Sequence, residues 1–245
     1  MRNIRLTIEY DGTKYNGWQR LGNTENTIQH KLENVLSLMS GENIEVIGSG
    51  RTDAGVHALG QVANFHTRSP MTTREILDYC NHYLPQDIVV KKAAEVEERF
   101  HARYNAVSKK YMYRIWNSHI PTAFYRKYSY HVPEPLSIEK MRKGTAYLVG
   151  KHDFQAFSSV KSKKKSTERE IYSIEILKER ERIDILFHGN GFLHNMVRIM
   201  TGTLLEIGLG KRKAEEIPLI LEGKIREKAG VTAPAQGLFL YEVYY

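Results

Sequence analysis

Cysteine is nearly absent from this chain of 245 residues, Cys80 being the single one. That excludes an intramolecular disulfide and any zinc site built on cysteines, and it suits a reduced, cytoplasmic setting. Long hydrophobic runs are missing too, so neither a secretory leader nor a transmembrane helix is expected. Met1-Arg2-Asn3-Ile4-Arg5 passes straight into an alternating pattern. Acidic residues are too few to balance the basic ones: 36 Lys and Arg face 28 Asp and Glu, a formal net charge of +8. Such an excess suits a polyanionic partner, RNA or DNA above all. His57, His66, His101, His188 and His194 show no metal-ligand spacing. A glycine motif for a nucleotide cofactor is also missing, so no metal and no cofactor is expected.

What is present reads as an ordinary folded protein, 41% hydrophobic and 26% charged. Residues 2–10 alternate, with Ile4, Leu6, Ile8 and Tyr10 on one face, which predicts a strand. Asp11-Gly12 turns the chain, and Thr27 caps a helix carrying Ile28, Leu32, Val35, Leu36 and Met39 until Gly41. Strands are expected near 44–47 and 61–67. Thr72 and Glu75 form a capping box before a second helix with Ile76, Leu77, Cys80 and Leu84, where Cys80 packs as a buried thiol. Pro85 stops that helix, and a strand follows over 88–93.

The second half repeats this order loosely. Tyr111, Tyr113 and Ile115 alternate along a strand, and Ser137 caps a helix through Met141 and Leu148. Strands are expected at 171–177 and 182–188, then a long helix bearing Phe192, Met196, Ile199, Met200, Thr203 and Ile207. A short helix near 218–222 precedes a closing strand, LFLYEVYY. The order predicts an α+β protein of two split βαβ halves with antiparallel sheets, residues 1–105 and 106–245. The run Lys161-Ser162-Lys163-Lys164-Lys165-Ser166 reads as a solvated loop, with contact to RNA phosphates as the alternative.

One tract stands out between two expected strands: Gly48-Ser49-Gly50-Arg51-Thr52-Asp53-Ala54-Gly55-Val56-His57. Its glycines allow close backbone approach, and Arg51 supplies a charge to hold Asp53 ionised or to hold a phosphate. From spacing alone, a structural turn with a surface Arg–Asp pair is an equally good reading. Tyr111 is similarly open, since alternation with Tyr113 and Ile115 describes a core strand face as well as a stacking ring.

The tract GSGRTDAGVHALGQVANF resembles the active-site segment of the TruA-type tRNA pseudouridine synthases. YDGTKYNGWQR with TIQHKLENVL, FHARYNAVSKKYMYRI, GFLHNMVRIMTGTLLEIGLGK and AGVTAPAQGLFLYEV agree with that family in the same order. The resemblance implies two ferredoxin-like halves joined around a central basic cleft, a homodimer, and the anticodon stem-loop of tRNA as partner. It implies Asp53 as the essential catalytic aspartate and Arg51 as the residue tied to base flipping. Tyr111 would then pack on the target base, and Arg198 would pair with the aspartate. Two departures are visible: Asn195 stands where many relatives have a second histidine, and the KSKKKST insert replaces a shorter segment.

The implied reaction converts uridine to pseudouridine at positions 38, 39 and 40 by breaking a C–N glycosidic bond and closing a C–C bond. One ionised carboxylate suffices, either as a nucleophile at the sugar or as a base that lets a glycal-like species form. Rival readings are a synthase for another RNA position, a non-catalytic RNA-binding module, and an unrelated Asp-nucleophile hydrolase. The hydrolase lacks an accompanying phosphate-cradling motif.

Overall fold

The computed structural model describes residues 1–159 and 166–245; the lysine run at 161–165 lies outside the described residues. In chain order the elements are β1 (Arg2–Tyr10), α1 (Ile28–Ser40), β2 (Ile47–Gly48), β3 (His57–Thr67), α2 (Thr73–Tyr83), β4 (Ile88–Val96), β5 (Ser108–Asn117), β6 (Tyr130–Val132), α3 (Ile138–Leu148), β7 (Gly150–Asp153), β8 (Glu168–Glu179), β9 (Arg182–Gly189), α4 (Met196–Gly208), α5 (Glu216–Gly223) and β10 (Leu238–Tyr244). The chain divides into two compact units, Met1–Val107 with Phe239–Tyr245, and Ser108–Leu238. Among the described residues no helix is long and apolar enough to cross a membrane.

In the first unit β1 lies between β4 and β3, antiparallel to both, and β2 extends β3. This is the sheet order of a ferredoxin-like βαββαβ unit. Alternation along β1 buries Ile4, Leu6 and Ile8 completely, and Ile4 lies opposite Phe65 of β3. Ile28, Leu32 and Leu36 of α1 and Ile76 and Cys80 of α2 are buried with them. Each large apolar side chain so buried contributes about 1.5–3 kcal/mol. Burial also pushes the Cys80 thiol up to about 12, so it packs as an inert apolar group. β10 joins this unit because it runs parallel to β3, with Phe239 opposite His57 and Leu240 opposite Ala58.

The expected strand at 44–47 is a correction, since only Ile47–Gly48 enter the ladder. Ile44 and Val46 are buried as expected, but α1 takes their backbone groups. Glu33 Oε1 accepts from the Val46 N–H at 3.1 Å, and Gln29 Nε2 donates to the Val46 carbonyl at 3.1 Å. Ser37 Oγ accepts from the Ile44 N–H at 3.0 Å. Helix side chains thus satisfy the groups a neighbouring strand would otherwise meet.

In the second unit β5, β9, β8 and β7 follow one another, each antiparallel to the next, and β6 lies parallel to β5. Tyr113 and Ile115 of β5 face Ile185 and Ile183 of β9, all four fully buried. α3 packs on α4 and β8. α4 is buried nearly all round, as its apolar composition requires of a central helix. On β5 and β9, Arg114 makes a two-pronged pair with Asp184, at 2.8 and 3.0 Å. The long helix is shorter than expected: it starts at Met196, so Phe192 precedes it.

Candidate active site

The loop from Ser49 to Val56 joins β2 to β3, and its backbone is gripped by the segment after β1. The Trp18 N–H donates to the Thr52 carbonyl at 3.0 Å, and the Gly55 N–H donates to the Tyr15 carbonyl at 3.3 Å. Gly17 makes this approach, with φ +89°; a Cβ there would sit 2.5 Å from the Thr52 oxygen. Gly12 is equally constrained, because a Cβ would overlap the Val56 carbonyl. Neither position has room for any other residue. The Tyr10 hydroxyl lies 2.8 Å from Thr52 Oγ1, buried, and burial pushes the Tyr10 phenol up so that it stays neutral.

Further bonds close the loop from the sheet side. Ser49 donates its N–H to the Val62 carbonyl at 2.8 Å and its hydroxyl to Gln61 Oε1 at 2.7 Å. Gln61 Nε2 in turn donates to the Gly50 carbonyl at 2.9 Å. At the far end, His57 Nδ1 accepts the Gly12 N–H at 3.1 Å and stands 3.1 Å from Asp11 Oδ1. Its ring stacks on Phe239 at 4.8 Å. So rigid a frame leaves Asp53 half-buried and Arg51 exposed. Arg51 Nε donates to Gln19 Oε1 at 3.0 Å, and among the described residues Arg51 forms no ion pair with Asp53. The simple surface Arg–Asp pair is therefore not what the loop makes.

Tyr111 and Arg198 belong to the second unit. Tyr111 sits near the start of β5, 9% exposed, with its ring edge-on to Phe192 at 5.1 Å. Two residues along the same strand, the Tyr113 hydroxyl donates to the Pro234 carbonyl at 2.8 Å. Arg198, in the first turn of α4, is half-buried. Its Nε donates to the Ala233 carbonyl at 2.7 Å, and its Nη1 donates to Asn195 Oδ1 at 2.8 Å. The Ala233 N–H returns a bond to the Arg198 carbonyl at 3.1 Å. The tract from Ala229 to Pro234 is thus laid along α4, and Thr203 Oγ1 also accepts its Gly230 N–H at 2.9 Å.

Within their units, then, Arg51 and Asp53 share one loop, while Tyr111 and Arg198 lie on β5 and α4. Sequence reasoning placed Phe192 on a helix face and missed it as the ring beside Tyr111. The helix start was the available signal: Asn195 is a frequent helix-flanking residue, and Gly189 and Gly191 precede Phe192. Asp11 and Trp18 shape the segment that grips the Asp53 loop. The structure shows the means: a capped turn at Gly12–Lys14 and a Trp18 ring packed against Gly48.

Comparison with known proteins agrees over the whole length. The profile of the tRNA pseudouridine synthase family matches residues 6–105 and 145–245. A tRNA pseudouridine synthase A 2 of Bacillus cereus is 52% identical over 245 residues, covering 100% of both chains. The tRNA pseudouridine synthase A of Bacillus sp. strain KSM-64 is 55% identical over 240 residues, 98% of each chain. That of Acetivibrio thermocellus is 48% identical over 100% of both. Matches of this extent leave no part of the chain outside the likeness, and the chain belongs to the TruA-type tRNA pseudouridine synthase family, isomerases that convert uridine to pseudouridine in tRNA.

Proposed function

We propose that this isomerase acts on the anticodon arm of tRNA, at positions 38, 39 and 40, with Asp53 as the reacting carboxylate. The observation that carries the reading is the Asp53 loop, gripped through its backbone by Trp18, Tyr15, Gln61 and Val62 while the carboxylate-bearing residue stays half-buried. A loop fixed in this way holds a reacting group in one place before substrate arrives.

The reaction breaks the bond between ribose C1′ and uracil N1, turns the base, and joins C1′ to C5. The C5 proton is lost and N1 gains one, so atoms balance without an oxidant or water. Asp53 serves either by attacking C1′ or by removing a sugar proton so that a glycal-like species forms. Beneath a bound base a carboxylate tends to protonate through desolvation. A guanidinium opposes this: for unit charges 4 Å apart, attraction rises from ~1 kcal/mol in water to ~4 kcal/mol in a partly shielded site. Arg198, oriented by two neutral oxygens, is the residue proposed to supply that charge.

A uridine in a stacked arm must leave the stack first, at roughly a few kcal/mol. Arg51, exposed at the loop tip, is assigned to the vacated position, and Tyr111 to the face of the extruded base. The working form proposed is a homodimer in the cytoplasm. The test uses unmodified tRNA transcripts, with pseudouridine mapped by a base-specific chemical probe. Product confined to positions 38–40, and lost from transcripts with cytidine there, supports the assignment. Product at other positions overturns it in favour of another RNA target, and binding without product favours a non-catalytic module.

A further inference from the structure

We infer that Asn195 is the positioning residue for Arg198, an inference that rests on the reading of Arg198 as part of the reaction site. Asn195 stands at the N-cap of α4 in the left-handed conformation, φ 61° and ψ 4°. Asparagine at that position ordinarily uses its side-chain oxygen to cap the first helical N–H groups. Here it makes no capping bond. Its carboxamide is used elsewhere: Oδ1 accepts from Arg198 Nη1 at 2.8 Å, and Nδ2 donates to Ser159 Oγ at 3.0 Å. Both ends of the amide are thereby satisfied, one as acceptor and one as donor, which leaves a single orientation for the group.

The left-handed turn is what makes this possible. It turns the chain at residue 195 while the Asn195 carbonyl still accepts the Ile199 N–H at 2.9 Å, so the helix starts normally. Ser159 is tied to the same turn a second time, its N–H donating to the His194 carbonyl at 3.1 Å. Arg198 is then fixed at two atoms: Nε on the Ala233 carbonyl and Nη1 on Asn195. Both of these anchors are neutral oxygens that orient the guanidinium. A long, rotamer-rich side chain so restrained is ordered before RNA binds.

Asn195→Gly keeps access to the left-handed turn and removes both amide bonds. With the fold checked by its melting temperature, kcat should fall roughly 10- to 100-fold while KM for tRNA stays within about twofold. Ser159→Ala, which removes only the outer anchor of the amide, should give a smaller fall of the same kind and serves if the glycine variant does not fold. The deciding readout is a double-mutant cycle with Arg198→Lys by single-turnover rates. If Asn195 acts through Arg198, either substitution adds little to the loss already caused by Arg198→Lys. Losses that multiply, or an Asn195→Gly enzyme of wild-type kcat, overturn the inference. Full activity in Arg198→Lys and Arg198→Ala overturns instead the reading of Arg198 itself.

Discussion

Residues that carry no chemistry decide where the Asp53 carboxylate sits. Gly17, at φ +89°, lets the segment after β1 bond to Thr52, and its Cβ has no room beside that carbonyl. Gly17→Ala is expected to destabilise by about 1–3 kcal/mol, from overpacking and a disfavoured backbone. Urea unfolding measures this, and kcat should fall in the folded fraction as the loop shifts. A variant of wild-type stability and rate would remove Gly17 from the frame. The loop that carries Asp53 was legible between two strands, because Arg, Thr, Asp and three glycines form one contiguous tract. Its supports were not, since Tyr10 meets Thr52 from another strand and a glycine gives no sign of what approaches it. Phe192 was misread for a related reason: apolar spacing continued through a turn that the left-handed Asn195 imposes.

Helices with local stop and start signals were read closely. Thr27 accepts the His30 N–H and Gly41 ends α1, as the caps implied. The Thr72–Glu75 capping box of α2 is present, with Glu75 Oε2 accepting the Thr72 N–H at 2.7 Å. Replacing Thr72 by Ala should lower stability by about 1 kcal/mol, typical of a lost N-cap. The bonds from the Thr72 N–H and hydroxyl hold the Glu75 carboxyl below the usual glutamate range. The sign follows: this contribution is present above the ordinary glutamate pKa and fades as pH falls through the lowered folded value. Melting temperatures across that interval should therefore drop less steeply in Thr72→Ala than in the parent. Segment 44–46 escaped sequence reading because its bonds go to Glu33, Gln29 and Ser37 of α1, and alternation cannot say which partner a strand-like segment takes. β10 was legible as a strand, but its parallel seat on β3 rests on contacts far apart in the chain.

At the scale of the whole molecule, a net charge of +8 accompanies membership of a family that modifies tRNA. RNA binding should weaken linearly in log K against log salt as counterions are released. If exposed Arg51 meets RNA, Arg51→Ala should lower that slope by about one, while a change of half-buried Lys31 on α1 should not. An unchanged slope would place Arg51 off the RNA. The family likeness runs through both halves. The central claim is that the Asp53 carboxylate performs the isomerisation. The most direct measurement is single-turnover pseudouridine formation on unmodified tRNA transcript by the parent and by Asp53→Asn, with tRNA binding and melting temperature recorded for both. Product from the parent and none from Asp53→Asn, at unchanged binding and stability, is the predicted result; pseudouridine formed by Asp53→Asn at the parental rate would contradict it.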